Sequence, residues 1–264
     1  KAEIQGDMQG LKAEIQGVKT DMQRLLQRSP RTWFSPPRRV HGSSARYLLP
    51  APGGTFNVVR DMWDRVFVVT AAHCVNWADP TGTLAQWDGS DGVASCGLSG
   101  RFFVPPTLIE VADKAVIQHW DVCAVLLDQD SGLRVRAFLS AEYGGDGAPP
   151  CVARTDPAMG GAVAGVSNYG AVHGHIVHVS PQCVRFAGQA RKGNSGTLLF
   201  NNADRSGVVG IVQGHDAQGI VLSAMPSLHA SEWCEVDSWA VQQTVAERCQ
   251  QHLNFSWGEL NVKG

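Results

Sequence analysis

From His41 onward the chain repeats one pattern, short apolar runs rich in valine and isoleucine separated by Gly, Asp and Pro. That pattern constrains it to strands. The runs are Arg65 to Thr70, Phe102 to Val104, Ala115 to Gln118, Val122 to Leu127, Ala162 to Val166, His175 to Val179, Thr197 to Phe200, Val208 to Val212 and Ile220 to Ala224. Each is too short for a helix and is bounded by turn formers. The 29 Gly and 13 Pro of the 264 residues supply the turns that so many strands require. Helical spacing returns at the end, where Val241, Val245, Cys249 and Leu253 recur every fourth residue. The expectation is an all-β fold closed by a single C-terminal helix at about 236–253.

The N-terminus follows a different rule. Ile4, Met8, Leu11, Ile15, Val18, Met22 and Leu25 alternate spacings of four and three, an a/d heptad seam, so residues 2–27 read as a helix that needs partners. The fragment AEIQG occurs at Ala2 and again at Ala13, as in a duplicated rod. Gly6, Gly10 and Gly17 each cost about 1 kcal/mol against Ala in a helix, so a coil this short needs an oligomer, or more helix upstream, to hold it. The alternative is an amphipathic helix lying on the parent domain. Ser29 to Arg39 carries three prolines and reads as an extended linker. The expected organisation is a coiled-coil helix at 1–28, a linker at 29–40 and a globular domain at 41–264. A chain that begins at Lys1 is read as a processed product or a piece of something longer.

Charge and cysteine content narrow the partners. With 22 Lys+Arg against 24 Asp+Glu the net charge is −2, so no positive field draws nucleic acid or an anionic membrane. No apolar run approaches the ~18 residues of a membrane span, and no charged-then-apolar signal pattern opens the chain. The seven cysteines, Cys74, Cys96, Cys123, Cys151, Cys183, Cys234 and Cys249, are an odd number without paired short spacing, which speaks against a zinc knuckle or a disulfide scaffold. Free thiols in a cytoplasmic, reducing compartment are expected rather than secretion. The sequon Asn254-Phe255-Ser256 would matter only in a secreted chain.

Three segments carry chemistry. Arg65 to Val75, RVFVVTAAHCV, is a buried strand running into a small-residue turn that presents His73. Trp120 to Leu127, WDVCAVLL, puts Asp121 at the start of another buried strand. Lys192 to Leu199, KGNSGTLL, sets Ser195 between glycines before a third. Acyl transfer by serine needs such a hydroxyl, an imidazole to take its proton, a carboxylate to orient that imidazole, and amide donors for the oxyanion. TAAHC, DVCAVLL and GNSGTLL, in that order and in β context, resemble the trypsin/chymotrypsin-like serine peptidases over roughly residues 42–255. The resemblance implies two six-stranded antiparallel β-barrels, one at about 41–145 and one at about 146–235, meeting at a cleft. It implies Ser195 as nucleophile, His73 as general base, Asp121 as its orienter, and the backbone N–H groups of Gly193 and Ser195 as oxyanion hole. A polypeptide substrate is implied and no cofactor. Trp233 and Trp239 would pack the final helix on the second barrel.

The departures from that family are informative. Secreted members pair the cysteine after the histidine with one upstream, yet Cys74 is the first cysteine here. Arg191 stands where a disulfide cysteine is usual, and Asn194 where zymogen-activated members carry Asp, so activation by a new N-terminus is not expected. The specificity pocket would be walled by Gln189, Ala190 and Arg191 and by Gly210 to His215, including Gln213 and Gly214. With Gln189 in place of a carboxylate, a basic P1 side chain loses its partner, leaving a small, apolar or acceptor-bearing P1. His215 is either a donor to a P1 Gln or Glu or an exposed turn residue. His173, His175 and His178 form a tract in which, on a regular strand, His178 points away from the other two, and no metal is assigned to it. The competing readings are a catalytically silent pseudopeptidase used as an oligomeric binding or scaffold module, and a processing peptidase excised from a polyprotein.

Overall fold

The computed structural model describes residues 48–49, 54–85, 98–110, 120–143, 145–167, 169–180, 184–190, 193–201, 207–216, 219–223 and 232–256. All belong to the unit Arg39–Gly264. The expected coiled coil at 1–28, the linker at 29–40, the run at 115–118, and Cys96, Cys183 and Arg191 lie outside the described residues.

Twelve described strands divide into two antiparallel sheets. The first contains β1 (Leu48–Leu49), β2 (Phe56–Arg60), β3 (Val66–Thr70), β4 (Gly100–Val104), β5 (Cys123–Leu127) and β12 (Cys234–Glu235), in the order β1-β2-β3-β5-β4-β12. The second, made of β6 (Ala162–Ser167), β7 (Gly170–Val179), β8 (Val184–Gly188), β9 (Leu198–Asn201), β10 (Val208–Asp216) and β11 (Gly219–Ser223), closes into a barrel in the order β10-β11-β8-β7-β6-β9. Among the described residues the first sheet stays open at β1 and β12, so the closure expected of it is not seen. The final strand also departs from the sequence boundary. The second barrel was expected to run to about residue 235, whereas Cys234 and Glu235 pair with Val104 and Phe103 of β4 in the first sheet.

The continuous apolar runs exist because several strands are covered on both faces. On β3, Val66 and Val68 face a core shared with Phe56, Val58, Phe102 and Val125. Phe67 and Val69 face the opposite way, into a second cluster where Val59, Val122 and Ala124 of the first sheet meet Leu198, Val208 and Ile211 of the barrel. That cluster is the seam between the halves. On β9 and β10, Leu199 and Val212 turn instead into the barrel interior with Phe186, Ile176 and Val163. The segment joining the halves is stitched to both: Arg60 N–H donates to Pro150 O (2.9 Å) and Val208 N–H to Ala153 O (2.8 Å).

Among the described residues four α-helices accompany the sheets, where the sequence predicts one after residue 41. Two are short, α1 (Pro80–Ala85) and α2 (Pro106–Glu110). Helix α3 (Gln129–Tyr143) follows β5 directly and begins at an Asp128 cap, whose Oδ1 accepts from Ser131 N–H at 2.7 Å. It buries only a narrow stripe, Ser131, Gly132, Val135 and Leu139, the last two in the first core. A stripe this thin, headed by a serine, has almost no hydrophobic periodicity to read. Helix α4 (Trp239–Ser256) is the expected C-terminal helix, but it packs its Val245 and Cys249 into the first core rather than on the barrel. Trp239 is 74% exposed, while Trp233 rests against the seam. Among the described residues no helix is long and apolar enough to cross a membrane.

His178 requires a correction. The β7–β8 register shifts between Ile176 and His178, so His175 pairs with Ala187 and His178 with Arg185. Ala187 and Arg185 are two apart on one face of β8, so the bulge brings His178 onto the same face as His175 and His173. All three are exposed. Even so, no group of three or more His, Cys, Asp or Glu that could hold a metal occurs among the described residues.

Candidate active site

The register of two neighbouring strands sets the first half of the site. Thr70, the last residue of β3, pairs with Cys123, the first of β5. His73 follows in a single 3-10 turn, Ala72–Cys74, and Asp121 precedes β5 by two residues, so the strand ends bring the two together. The small side chains of Ala71 and Ala72, both fully buried, let this turn sit tightly over the core. Asp121 Oδ1 accepts from His73 N–H at 3.0 Å, and Oδ2 lies 2.5 Å from the ring Nδ1. One carboxylate thus fixes both the backbone and the ring of the same residue. The pair is almost wholly buried, with side-chain exposures of 6% and 2%.

Burial opposes a charged imidazole, but the negative charge of Asp121, helped by its hydrogen bond and by Cys74, outweighs it and holds the His73 pKa well above the ordinary 6.5. Deep beneath, burial pushes the Cys123 and Cys249 thiols up, so neither supplies a thiolate.

Ser195 stands on a turn built from backbone conformations that favour glycine. Gly193 has φ +94° and Gly196 φ +87°. A Cβ on Gly193 would collide with the Tyr169 ring, and one on Gly196 with the Thr55 carbonyl. Neutral hydrogen bonds hold this turn. Asn194 Nδ2 donates to Ser167 Oγ (2.6 Å), and Asn194 O accepts from Thr197 Oγ1 (2.6 Å). From the first sheet, Thr55 N–H donates to Ser195 O (2.8 Å) and Asn57 Nδ2 to Gly196 O (2.6 Å). Gly196 also lies against Thr70 and the backbone of Ala71, just before His73. The Ser195 hydroxyl donates to the Gln213 carbonyl at 3.0 Å.

The expected pocket residues are distributed unevenly. Gln189 is exposed just beyond β8, whereas Ala190 is half-buried against the barrel core. Gln213 is fully buried and is the extra residue where the β10–β11 register shifts between Val212 and Gly214. His215 pairs with Ile220 along the backbone, and its side chain lies outside the described residues. Thr55, Asn57, Ser167 and Tyr169 escaped sequence reading. The one available signal was a polar residue interrupting an apolar strand, Asn57 in FNVVR.

No family model matches the sequence, and no curated protein matches it. Solved structures similar to the chain include a Glu endopeptidase in complex with MPD, at 12% identity and TM-score 0.42, covering 80% of this chain and 95% of that one. A thermostable serine protease, AL20, from an extremophilic microorganism matches at 15% identity and TM-score 0.42, covering 75% and 90%. The NSP4 proteinase from Equine Arteritis Virus matches at 15% and 0.37, covering 70% and 73%. At this level of likeness the chemistry must come from the residues of this chain.

Proposed function

We propose that the chain is a serine endopeptidase working through an acyl-enzyme. The observation that carries the reading is the pair of hydrogen bonds that Asp121 accepts from His73, beside a serine turn flanked by positive-φ glycines. A buried carboxylate that grips Nδ1 leaves Nε2 as the proton-accepting nitrogen. For reaction the Ser195 hydroxyl rotates from Gln213 O to that nitrogen. Its oxygen then attacks the scissile carbonyl carbon while its proton passes to His73. The imidazolium so formed is stabilised by Asp121, and the oxyanion is held by the N–H groups of Gly193 and Ser195. Collapse breaks the C–N bond, the amine leaves with the proton from His73, and water repeats the cycle on the ester.

The substrate is a polypeptide whose P1 side chain meets Gln189, Ala190, Gln213, Gly214 and His215. None of these is anionic, which favours a small, apolar or Gln/Glu P1 over Lys or Arg. A fluorophosphonate probe, which reports any activated serine, should label the protein at Ser195 and leave Ser195→Ala unlabelled. A peptide-library profile should then lack cleavage after basic residues. No labelling of a folded chain would instead establish the silent, scaffold-type alternative, and a profile dominated by P1 Lys or Arg would remove the pocket assignment.

A further inference from the structure

Asn57 does something the triad reading leaves out. On β2, Phe56 and Val58 face the first core, so the alternation of the strand turns Asn57 and Val59 toward the seam. Val59, Phe67, Val69, Leu198 and Ile211 make that seam largely apolar, and Asn57 is only 6% exposed, with buried Thr55 the other group bonded to the serine turn. Asn57 Nδ2 donates to two carbonyls that belong to different halves, Val69 O at 2.9 Å and Gly196 O at 2.6 Å. Two acceptors on one side of the carboxamide settle its orientation, because only the NH2 end can face them, and they occupy both of its protons.

Apolar contact is non-directional, so a seam of valines and leucines draws the halves together without fixing how they slide. A buried amide is different. Any slide breaks the bond across the seam and leaves one desolvated N–H of Asn57 and the desolvated Gly196 carbonyl unpaired, which is far costlier than a shifted methyl contact. The acceptors are also well placed: Val69 lies four residues before His73 on the strand that presents it, and Gly196 follows Ser195. We propose that Asn57 is a positioning residue that sets the register of the nucleophile turn against β3, and thereby the separation of Ser195 from His73. The catalytic consequence rests on the peptidase reading. The register itself does not.

The test uses the full chain with Asn57→Ala, and with Asn57→Ser, which keeps one shorter donor and carries the comparison if the alanine variant does not fold. The amide of Thr55, which donates to Ser195 O, reports the register without reference to activity. Its hydrogen exchange should speed up about tenfold or more in Asn57→Ala and less in Asn57→Ser, while amides of β5 keep their protection. With the fluorophosphonate, the limiting rate of labelling should fall about 10²-fold with the probe's binding constant unchanged, the signature of misplaced reacting groups rather than lost binding. Unchanged Thr55 exchange would overturn the proposal. So would faster exchange with an unaltered limiting rate. If the native chain is never labelled yet Thr55 exchange accelerates, the peptidase reading fails and the register stands.

Discussion

The two halves of the site are held by different physics. In the first sheet, His73 and Asp121 are placed by the ends of two buried, paired strands and coupled by charge. In the barrel, the groups named above that hold Ser195 are neutral: Asn194 to Ser167, Thr197 to Asn194, and Thr55 and Asn57 from across the seam. One half responds to protons and the other has no titratable support among those bonds. On the proposed reading, geometry on the nucleophile side would be set by shape and hydrogen-bond direction, and reactivity by electrostatics on the base side.

The strongest way to break this division is to remove the charge and keep the shape. Asp121→Asn should lower turnover by about 10⁴-fold, as amidation of the orienting carboxylate stabilises the wrong imidazole tautomer. Measured by probe labelling, a loss below tenfold would mean that Asp121 does not orient a base. Next in size is the converse change. Gly193→Ala forces a Cβ into the Tyr169 ring at φ +94°, so the donors aimed at the oxyanion shift, and labelling should slow by about 10² to 10³-fold. Because nothing charged is touched, the pH profile of Gly193→Ala should keep the native midpoint. A displaced midpoint would show the halves to be electrostatically linked.

The smallest effect is a pH dependence with opposite signs for stability and activity. The folded pKa of His73 lies above its ordinary 6.5. The protonated pair therefore contributes stability that is complete below about pH 6.5 and fades as pH rises through the higher folded value. A general base must be neutral, so labelling should rise across that same interval. Thermal melts and labelling rates over one pH series check this directly. Labelling that reaches its plateau below pH 6.5 would contradict the raised value.

In the charged half both site residues were legible. His73 after a continuous apolar run and Asp121 before another are visible because strands buried on both faces leave an unmistakable run of valines, and polar residues at their ends stand out. In the neutral half Ser195 between its glycines was equally visible, but the groups that hold its turn were not. Whether Asn57 is buried, and against what, depends on a barrel that begins about a hundred residues later, and no local pattern encodes it. The same holds for β12, whose Cys234–Glu235 pair carries no sign of a partner in β4. Helix α3 hid behind a cap and four buried positions, two of them serine and glycine, and the face of His178 was reversed by one inserted residue.

That last strand and the helix after it carry a consequence for how the chain is made. β12 and α4, residues 234–256, complete the first sheet and its core, yet they are the final part of the described chain to leave a ribosome. Until they emerge, β4 has a bare edge and the core lacks Val245 and Cys249. The half that appears first is therefore finished last. Synthesis from one end does not mature the two halves one after the other, because the first waits for residues 234–256, beyond the barrel strands, to fold back over it.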